Sequence, residues 1–393
     1  MDPPGARDGP LRRRLLAGAG PAGARVRLIV GWLAIAILIS ACRTFVPPDP
    51  ARIAPLVPRL GDLLLVGFHG TAGEGNGDLE RLLCQTRAGS VALFGRNVVD
   101  AAQVAQLTRW MSDRAQRCTG RPLLVAVDAE GGHVMRLGAT AGYTGTMSHR
   151  ELGDSGDLVT TELEALRIGG RLREAGITWN LAPVVDVGYN PANQVIVGAG
   201  RSFSGDPASV TAHARAYLAG MRAAGLLTTL KHFPGHGSSL ADSHRGFVDV
   251  TDTARPDLEL GPYRALLAEC VVDGVMTAHV FNRRLDRRYP ATLSRPTITG
   301  LLRGELGWGG LVVSDDLRMG AIEQHYGLGE AAVLALGAGV DVLIIADDRL
   351  PGGRSAAHVV LTAVRHALER GRLAPEIVEV ALARIDALRA RLP

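Results

Sequence analysis

The sequence predicts an α/β protein folded as a single (β/α)8 barrel of the TIM type. Apolar runs rich in β-forming residues recur along the chain, and they alternate with segments of helical spacing. Because the runs are almost continuously apolar, they are typical of parallel strands buried on both faces. A doubly wound open sheet is the main competing fold. The eight runs are residues 62–68, 90–94, 123–127, 178–185, 227–230, 274–277, 311–313 and 340–345.

The segments between these runs predict the helices of the barrel. The clearest are residues 101–116, 160–175 and 207–224. Pro375 begins a further helix, which we expect to be the last barrel helix. Its apolar residues share one face at helical spacing, and they are Val378, Leu382, Ile385, Leu388 and Leu392.

The first 41 residues are typical of a secretory signal peptide. An arginine-rich head leads into the apolar run 28–39, and small residues follow. The sequence Ile-Ser-Ala-Cys that ends at Cys42 resembles a bacterial lipobox, whose cysteine carries lipid. We therefore expect a signal peptide over 1–41, a lipid-anchored tether over 42–58 and a catalytic domain over 59–393, exported to the outer face of the cell membrane. An uncleaved membrane anchor is the alternative.

Charge and cysteine content narrow the classes of partner. Of 43 basic and 39 acidic residues, six arginines and two aspartates lie in residues 1–41, so the remainder is neutral. A neutral body excludes a nucleic-acid surface, which needs clustered positive charge. Beyond Cys42 the chain has Cys84, Cys118 and Cys270, which lack the spacing of metal ligands. One disulfide can form among them, and the sequence does not say which.

Polar residues follow most of the predicted strands. In barrels, catalytic groups come from the carboxyl ends of several strands, so these residues predict an active site at that face. They are Asp128, Glu130 and His133 after the third run, Asp186 after the fourth, Lys231 and His232 after the fifth, His279 after the sixth, Asp315 and Asp316 after the seventh, and the aspartates from Asp341 to Asp347 at the end of the eighth.

Two features of the fifth strand end stand out. Lys231 is the only lysine of the chain, and every other basic side chain is arginine. A compact ammonium suits a crowded pocket better than a planar guanidinium does. Asp242 and His244 follow in a loop, where residues i and i+2 point the same way, so the two can touch. A carboxylate beside a histidine fixes its tautomer and favours the imidazolium, which predicts a proton donor.

These motifs resemble the β-N-acetylhexosaminidases of glycoside hydrolase family 3. They occur in order over about residues 60 to 350. They are Asp128-x-Glu-Gly-Gly with Arg136, the segment 181–186 ending in Asp186, Gly200-Arg-Ser-Phe203 with Asp206-Pro207, Lys231 to Gly237, Asp242-Ser-His244, Met276 to His279, and Ser314-Asp-Asp-Leu317.

The resemblance implies roles for individual residues. It implies that Asp315 is the nucleophile of a retaining mechanism and that His244, with Asp242, is the acid/base. It also implies that the terminal sugar is held by Asp128, Arg136, Arg201, Lys231 and His232. Spacing alone does not separate Asp315 from Asp316.

The implied substrate is an amino-sugar oligosaccharide or peptidoglycan fragment with a terminal β-linked N-acetylglucosamine. We expect no cofactor, no metal and a monomeric enzyme. The alternatives are a phosphorylase acting on the same glycosides, a Schiff-base lyase that uses Lys231, a metal hydrolase, and a non-catalytic sugar-binding lipoprotein.

Overall fold

A computed structural model describes residues 49–139 and 142–392. The predicted signal peptide and the lipid attachment at Cys42 lie outside the described residues. Eight parallel strands form a closed barrel, in which the first strand pairs with the last. This confirms the predicted (β/α)8 fold. The strands are β1 Leu64–Gly67, β2 Ser90–Leu93, β3 Leu124–Val127, β4 Trp179–Asn180, β5 Leu227–Phe233, β6 Gly274–Thr277, β7 Leu311–Asp316 and β8 Val342–Ile345.

All eight predicted strands are present, and their carboxyl ends differ most from the prediction. β4 is shorter than expected, although hydrogen bonds to β5 continue beyond it: the Lys231 amide donates to the Pro183 carbonyl at 3.3 Å and the Val185 amide donates to the Lys231 carbonyl at 2.8 Å. β5 and β7 are longer, since they continue into polar residues through Phe233 and Asp316. The side chains of these extensions therefore project from strands rather than from free loops.

Helices alternate with the strands around the barrel. They are Gly77–Cys84, Ala101–Thr119, Leu158–Glu174, Pro207–Ala223, Gly261–Ala268, the π-helix Pro296–Glu305, Leu328–Ala338 and Ala356–Glu369, and the additional helix Pro375–Arg389 follows the last of them. The three helices predicted in most detail are confirmed. Asp206 accepts a hydrogen bond from the Ser209 amide at 2.9 Å and Pro207 follows it, so this motif begins a helix.

Shorter elements complete the fold. Short helical segments are Pro50–Ile53, Val57–Leu63, Gly95–Asn97, His149–Ser155, Pro256–Glu259, Ala291–Leu293, Gly320–Glu323 and Pro351–Gly353. Two small sheets pair Ala129–Gly131 with Val134–Met135 and Val248–Asp249 with Val280–Phe281. In the part of the chain that is described, no helix has both the length and the apolar character needed to cross a bilayer.

The helix expected to begin at Pro375 is confirmed as Pro375–Arg389, and Val378, Leu382, Ile385 and Leu388 are buried on one face. It is not the barrel helix that directly follows β8, because Ala356–Glu369 comes first. Arg384 contacts Asp341 at 3.0 Å and Arg389 contacts Asp62 at 2.7 Å, and each aspartate precedes a strand. The expectation that Asp341 follows the eighth strand is therefore wrong. Buried beside Arg303, it belongs to the face opposite the polar strand ends.

The packed body takes in part of the segment expected to be a tether. Ile53 and Leu56 are buried, and Arg59 contacts Asp386 of the last helix at 2.7 Å. Residues 49–58 therefore pack against the barrel. Cys84 and Cys118 form a disulfide between the first two helices, with their Cα atoms 5.1 Å apart, and Cys270 is free and exposed.

Candidate active site

The predicted site residues converge at the carboxyl ends of the strands. A cavity of about 310 Å³ lies there, and seven of the eight residues named for catalysis and sugar binding line it: Asp128, Arg136, Arg201, Lys231, His232, His244 and Asp315. The eighth, Asp242, lines an adjoining groove of about 680 Å³, which shares Val134, Arg201 and His244 with the cavity. Residues distant in sequence thus form one concave site.

Lys231 lies at the bottom of this cavity between two carboxylates. Its Nζ is 2.7 Å from Asp128 Oδ1 and 2.7 Å from Glu130 Oε1, and the side chain is 2% exposed. Arg201 forms a bidentate pair with Glu130, with two contacts of 2.8 Å. The four charges balance, which offsets the cost of burying them.

Charge pairing fixes the protonation of this cluster. Burial would raise the pKa of Glu130, but Arg201 and Lys231 hold it well below its usual range. Burial would lower the pKa of Lys231, but Asp128 and Glu130 raise it. Lys231 is therefore an ammonium. A Schiff-base lysine must react as the neutral amine, so this geometry argues against that alternative.

His232 is oriented by contacts on both ring nitrogens. Its Nδ1 is 2.7 Å from Asp186 Oδ2, and its Nε2 is 3.3 Å from Arg201 Nη2. Because a guanidinium only donates, Nε2 accepts and Nδ1 carries the hydrogen. Asp186 is buried, and its pKa is lowered by His232 and His236 although burial opposes this.

Asp315 and Asp316 are adjacent in sequence but differ in surroundings. Asp316 Oδ1 accepts hydrogen bonds from the amides of Ala346 at 2.9 Å and Arg318 at 3.1 Å, which fasten the following loop. Asp315 Oδ1 accepts only from the Asp316 amide at 2.8 Å, and its Oδ2 accepts no hydrogen bond from the described residues. Asp315 therefore presents a free carboxylate oxygen.

The pKa values of these two carboxyls move in opposite directions. Burial would raise the pKa of Asp315, but the nearby His279, His232 and His244 lower it to about 2. Burial raises the pKa of Asp316 to about 6, and the neighbouring Asp315 adds to this. At neutral pH Asp315 is consequently ionised, and three histidines lie near its carboxylate.

His244 and Asp242 make the contact predicted from their spacing. His244 Nδ1 is 2.7 Å from Asp242 Oδ1, which leaves Nε2 for a substrate. The His244 side chain is 63% exposed. Burial would raise the pKa of Asp242, but hydrogen bonds from the amide and ring of His244 lower it. The carboxylate is therefore ionised beside the imidazole.

Sequence reasoning left three buried polar residues without a role. Glu130 links Lys231 to Arg201, and Asp186 orients His232. His279 Nε2 donates to the Asp316 carbonyl at 2.8 Å, so it braces the end of β7. Each stands in a motif already noted, but only the position of its partner, distant in the chain, shows what it does.

Comparison with known proteins identifies the family of this chain. Residues 56–388 match the family model described as "Glycosyl hydrolase family 3 N terminal domain". The chain belongs to glycosyl hydrolase family 3. It is 37% identical over 361 residues to beta-hexosaminidase LpqI of Mycobacterium tuberculosis, which covers 88% of this chain and 86% of that protein. It is 34% identical over 368 residues to beta-hexosaminidase A of Pseudoalteromonas piscicida, covering 85% of this chain but 61% of that longer protein.

Solved structures of the family have the same fold. A glycoside hydrolase family 3 beta-N-acetylglucosaminidase from Paenibacillus sp. str. FPU-7 matches with a TM-score of 0.80 and 38% identity, over 86% of this chain and 62% of that one. The beta-N-acetylhexosaminidase of Beutenbergia cavernae matches with a TM-score of 0.76 and 31% identity, over 85% of this chain and 98% of that one. The chain is thus a glycoside hydrolase of the β-hexosaminidase group.

Proposed function

We propose that this family 3 hydrolase is an exported, retaining β-N-acetylglucosaminidase. In this proposal it removes terminal β-linked N-acetylglucosamine from peptidoglycan fragments, in which that sugar is joined to N-acetylmuramic acid. The observation that carries the proposal is the free, ionised carboxylate of Asp315 in the same cavity as His244. Hydrolysis with retention of the anomeric configuration requires such an anion as nucleophile, together with a separate group that carries the proton.

The proposed reaction has two steps. His244 Nε2 gives its proton to the glycosidic oxygen while the Asp315 carboxylate attacks the anomeric carbon, and a glycosyl-enzyme forms. His244 then takes a proton from water, which displaces Asp315 from that carbon and releases the sugar. Asp242 holds the ring through Nδ1, so Nε2 serves both transfers. The ammonium of Lys231 and the carboxylate of Asp128 can donate to and accept from sugar hydroxyls.

Substitution with product analysis tests these roles. Asp315→Asn should lower kcat on an aryl β-N-acetylglucosaminide by several decades with the fold intact, because the nucleophile is lost. His244→Ala should lower kcat/KM by about 10²–10⁴-fold on poor leaving groups and largely spare kcat/KM on activated aryl glycosides. Asp347→Asn is the matched control, since Asp347 follows β8 but does not line the cavity. Near-normal turnover by the Asp315→Asn variant would show that Asp315 is not the nucleophile.

Hydrolysis and phosphorolysis give different products from the same intermediate. We propose hydrolysis, and a panel of aryl β-glycosides (N-acetylglucosaminide, glucoside and xyloside) with and without phosphate distinguishes the two. The free β-configured sugar should be the first product in both buffers. A sugar 1-phosphate formed in phosphate buffer would instead establish the phosphorylase.

Export and lipid attachment at Cys42 form part of the proposal. Their support is the basic and apolar leader in the sequence and the Cys84–Cys118 disulfide, a bond that persists in oxidising compartments. Cys42→Ala should release the protein from the membrane fraction without changing its specific activity. Membrane retention of that variant would overturn lipid anchoring.

A further inference from the structure

The side chain of Ser243 lies inside the protein between the two members of the proposed acid/base pair. Ser243 is 1% exposed, whereas the side chains of Asp242 and His244 on either side are 31% and 63% exposed. Its Oγ is 3.1 Å from His236 Nε2, and both groups are buried. The loop that carries His244 is thus held by Ser243, the one residue of the three that lines neither the cavity nor the adjoining groove.

His236 is itself fixed to the barrel. Its amide donates to Asp186 Oδ1 at 2.7 Å, and the other carboxylate oxygen of Asp186 orients His232 at 2.7 Å. Burial lowers the pKa of His236 to about 4, so the ring is neutral at neutral pH. Whichever ring nitrogen then carries the hydrogen, the bond to Ser243 forms, because a hydroxyl both donates and accepts.

The backbone of the same serine is held from the other side of the cavity. The Ser243 carbonyl accepts from the Ala321 amide at 3.1 Å, and the His244 carbonyl accepts from the Gly320 amide at 3.1 Å. Both donors belong to the helix that follows β7 and Asp315. Ser243 therefore joins the Asp186 side of the site to the segment that carries the nucleophile.

Burial of a hydroxyl in this loop does not by itself create such a link. Ser239 is 1% exposed, yet its hydroxyl has no hydrogen-bond partner among the described residues. The contact between Ser243 and His236 is thus specific to the serine that separates Asp242 from His244.

We propose that Ser243 and His236 are positioning residues that hold His244 at the distance from Asp315 that proton transfer to the leaving group requires. The inference rests on the proposed function, in which His244 is the acid/base. Since Asp186 orients both His232 in the sugar pocket and His236 beneath the loop, one carboxylate aligns the sugar site with the proton carrier.

The test compares two serines of one loop on two substrates. Ser243→Ala should lower kcat/KM on N,N′-diacetylchitobiose, a poor leaving group, by about five- to tenfold, as expected for one lost hydrogen bond. On 2,4-dinitrophenyl β-N-acetylglucosaminide, whose departure needs no acid assistance, kcat/KM should change less than about twofold. Ser239→Ala, the matched control, should leave both rates unchanged. Ser243→Thr should keep more of the kcat/KM on N,N′-diacetylchitobiose than Ser243→Ala does, because the hydroxyl remains.

The outcomes separate this inference from the proposed function. Equal effects of Ser243→Ala and Ser239→Ala, or an equal loss on both substrates with Ser243→Ala, would overturn the positioning role. His236→Gln, whose amide can reach the Ser243 hydroxyl, should keep more chitobiose activity than His236→Leu, and the reverse order would also overturn it. An equal loss on both substrates with His244→Ala would instead overturn the acid/base role itself.

Discussion

Replacing Glu130 with glutamine removes the carboxylate that Lys231 and Arg201 share. The side chains of Lys231 and Arg201 are 2% and 12% exposed, so both cations stay largely buried after the change. Breaking a buried pair costs about 3–5 kcal/mol because the remaining charge loses its partner. Asp128 still contacts Lys231, so we expect the lower end, about 3 kcal/mol of unfolding free energy.

Urea unfolding followed by circular dichroism measures this loss, with Glu80→Gln as the control. Glu80 also pairs with an arginine, but its side chain is 36% exposed, so its removal should cost far less. The pKa of Glu130 is lowered on folding, so its contribution is complete above its unfolded pKa of about 4.3 and declines as the pH falls below that. The difference in unfolding free energy between the wild type and Glu130→Gln should therefore become smaller at acidic pH. Equal losses in the two variants, or a gap independent of pH, would refute the reasoning.

Three further predictions concern sugar binding, the disulfide and pH. Lys231→Arg should weaken inhibition by N-acetylglucosamine despite the retained charge, because the larger guanidinium does not fit between two carboxylates; an unchanged inhibition constant would contradict this. Cys84→Ser should lower the unfolding free energy by about 2–5 kcal/mol, whereas Cys270→Ser should not change it. Equal thermal midpoints for the Cys84→Ser and Cys270→Ser variants would count against the disulfide. Because the pKa of Asp315 is about 2, the acidic limb of kcat/KM should lie below about pH 4. A limb near pH 6 would point to Asp316, whose pKa is about 6.

The fold could be predicted from the sequence because burial on both faces leaves a readable pattern. A strand of a parallel barrel is apolar at almost every position, so β1, β2 and β3 appear as short, nearly continuous apolar runs. Hydrogen bonds between strands involve only the backbone, so β5 continues through Lys231 and His232 although its apolar run has ended. Side-chain pattern therefore located the strands but not their polar ends.

The site could be predicted in part for a similar reason. Parallel strands bring their carboxyl ends together, so polar residues that follow them converge, as Asp128, Lys231 and Asp315 do. Spacing could not tell that Asp341 precedes its strand, because its partners Arg303 and Arg384 are contacts between distant segments. The pairing of Cys84 with Cys118 likewise depends on how two helices pack.

The last helix brings both ends of the described chain together on the side of the barrel that lies opposite the cavity. Arg389 reaches Asp62 ahead of β1, and Arg52 reaches Glu379 at 3.1 Å, so both ends of the described chain meet beneath the barrel. The cavity lies at the opposite rim. A bead, a fused domain or a lipid surface coupled through either end should therefore leave the mouth of the cavity open to large, branched substrates. Immobilised enzyme should cleave soluble and polymeric glycosides in the same ratio as free enzyme does.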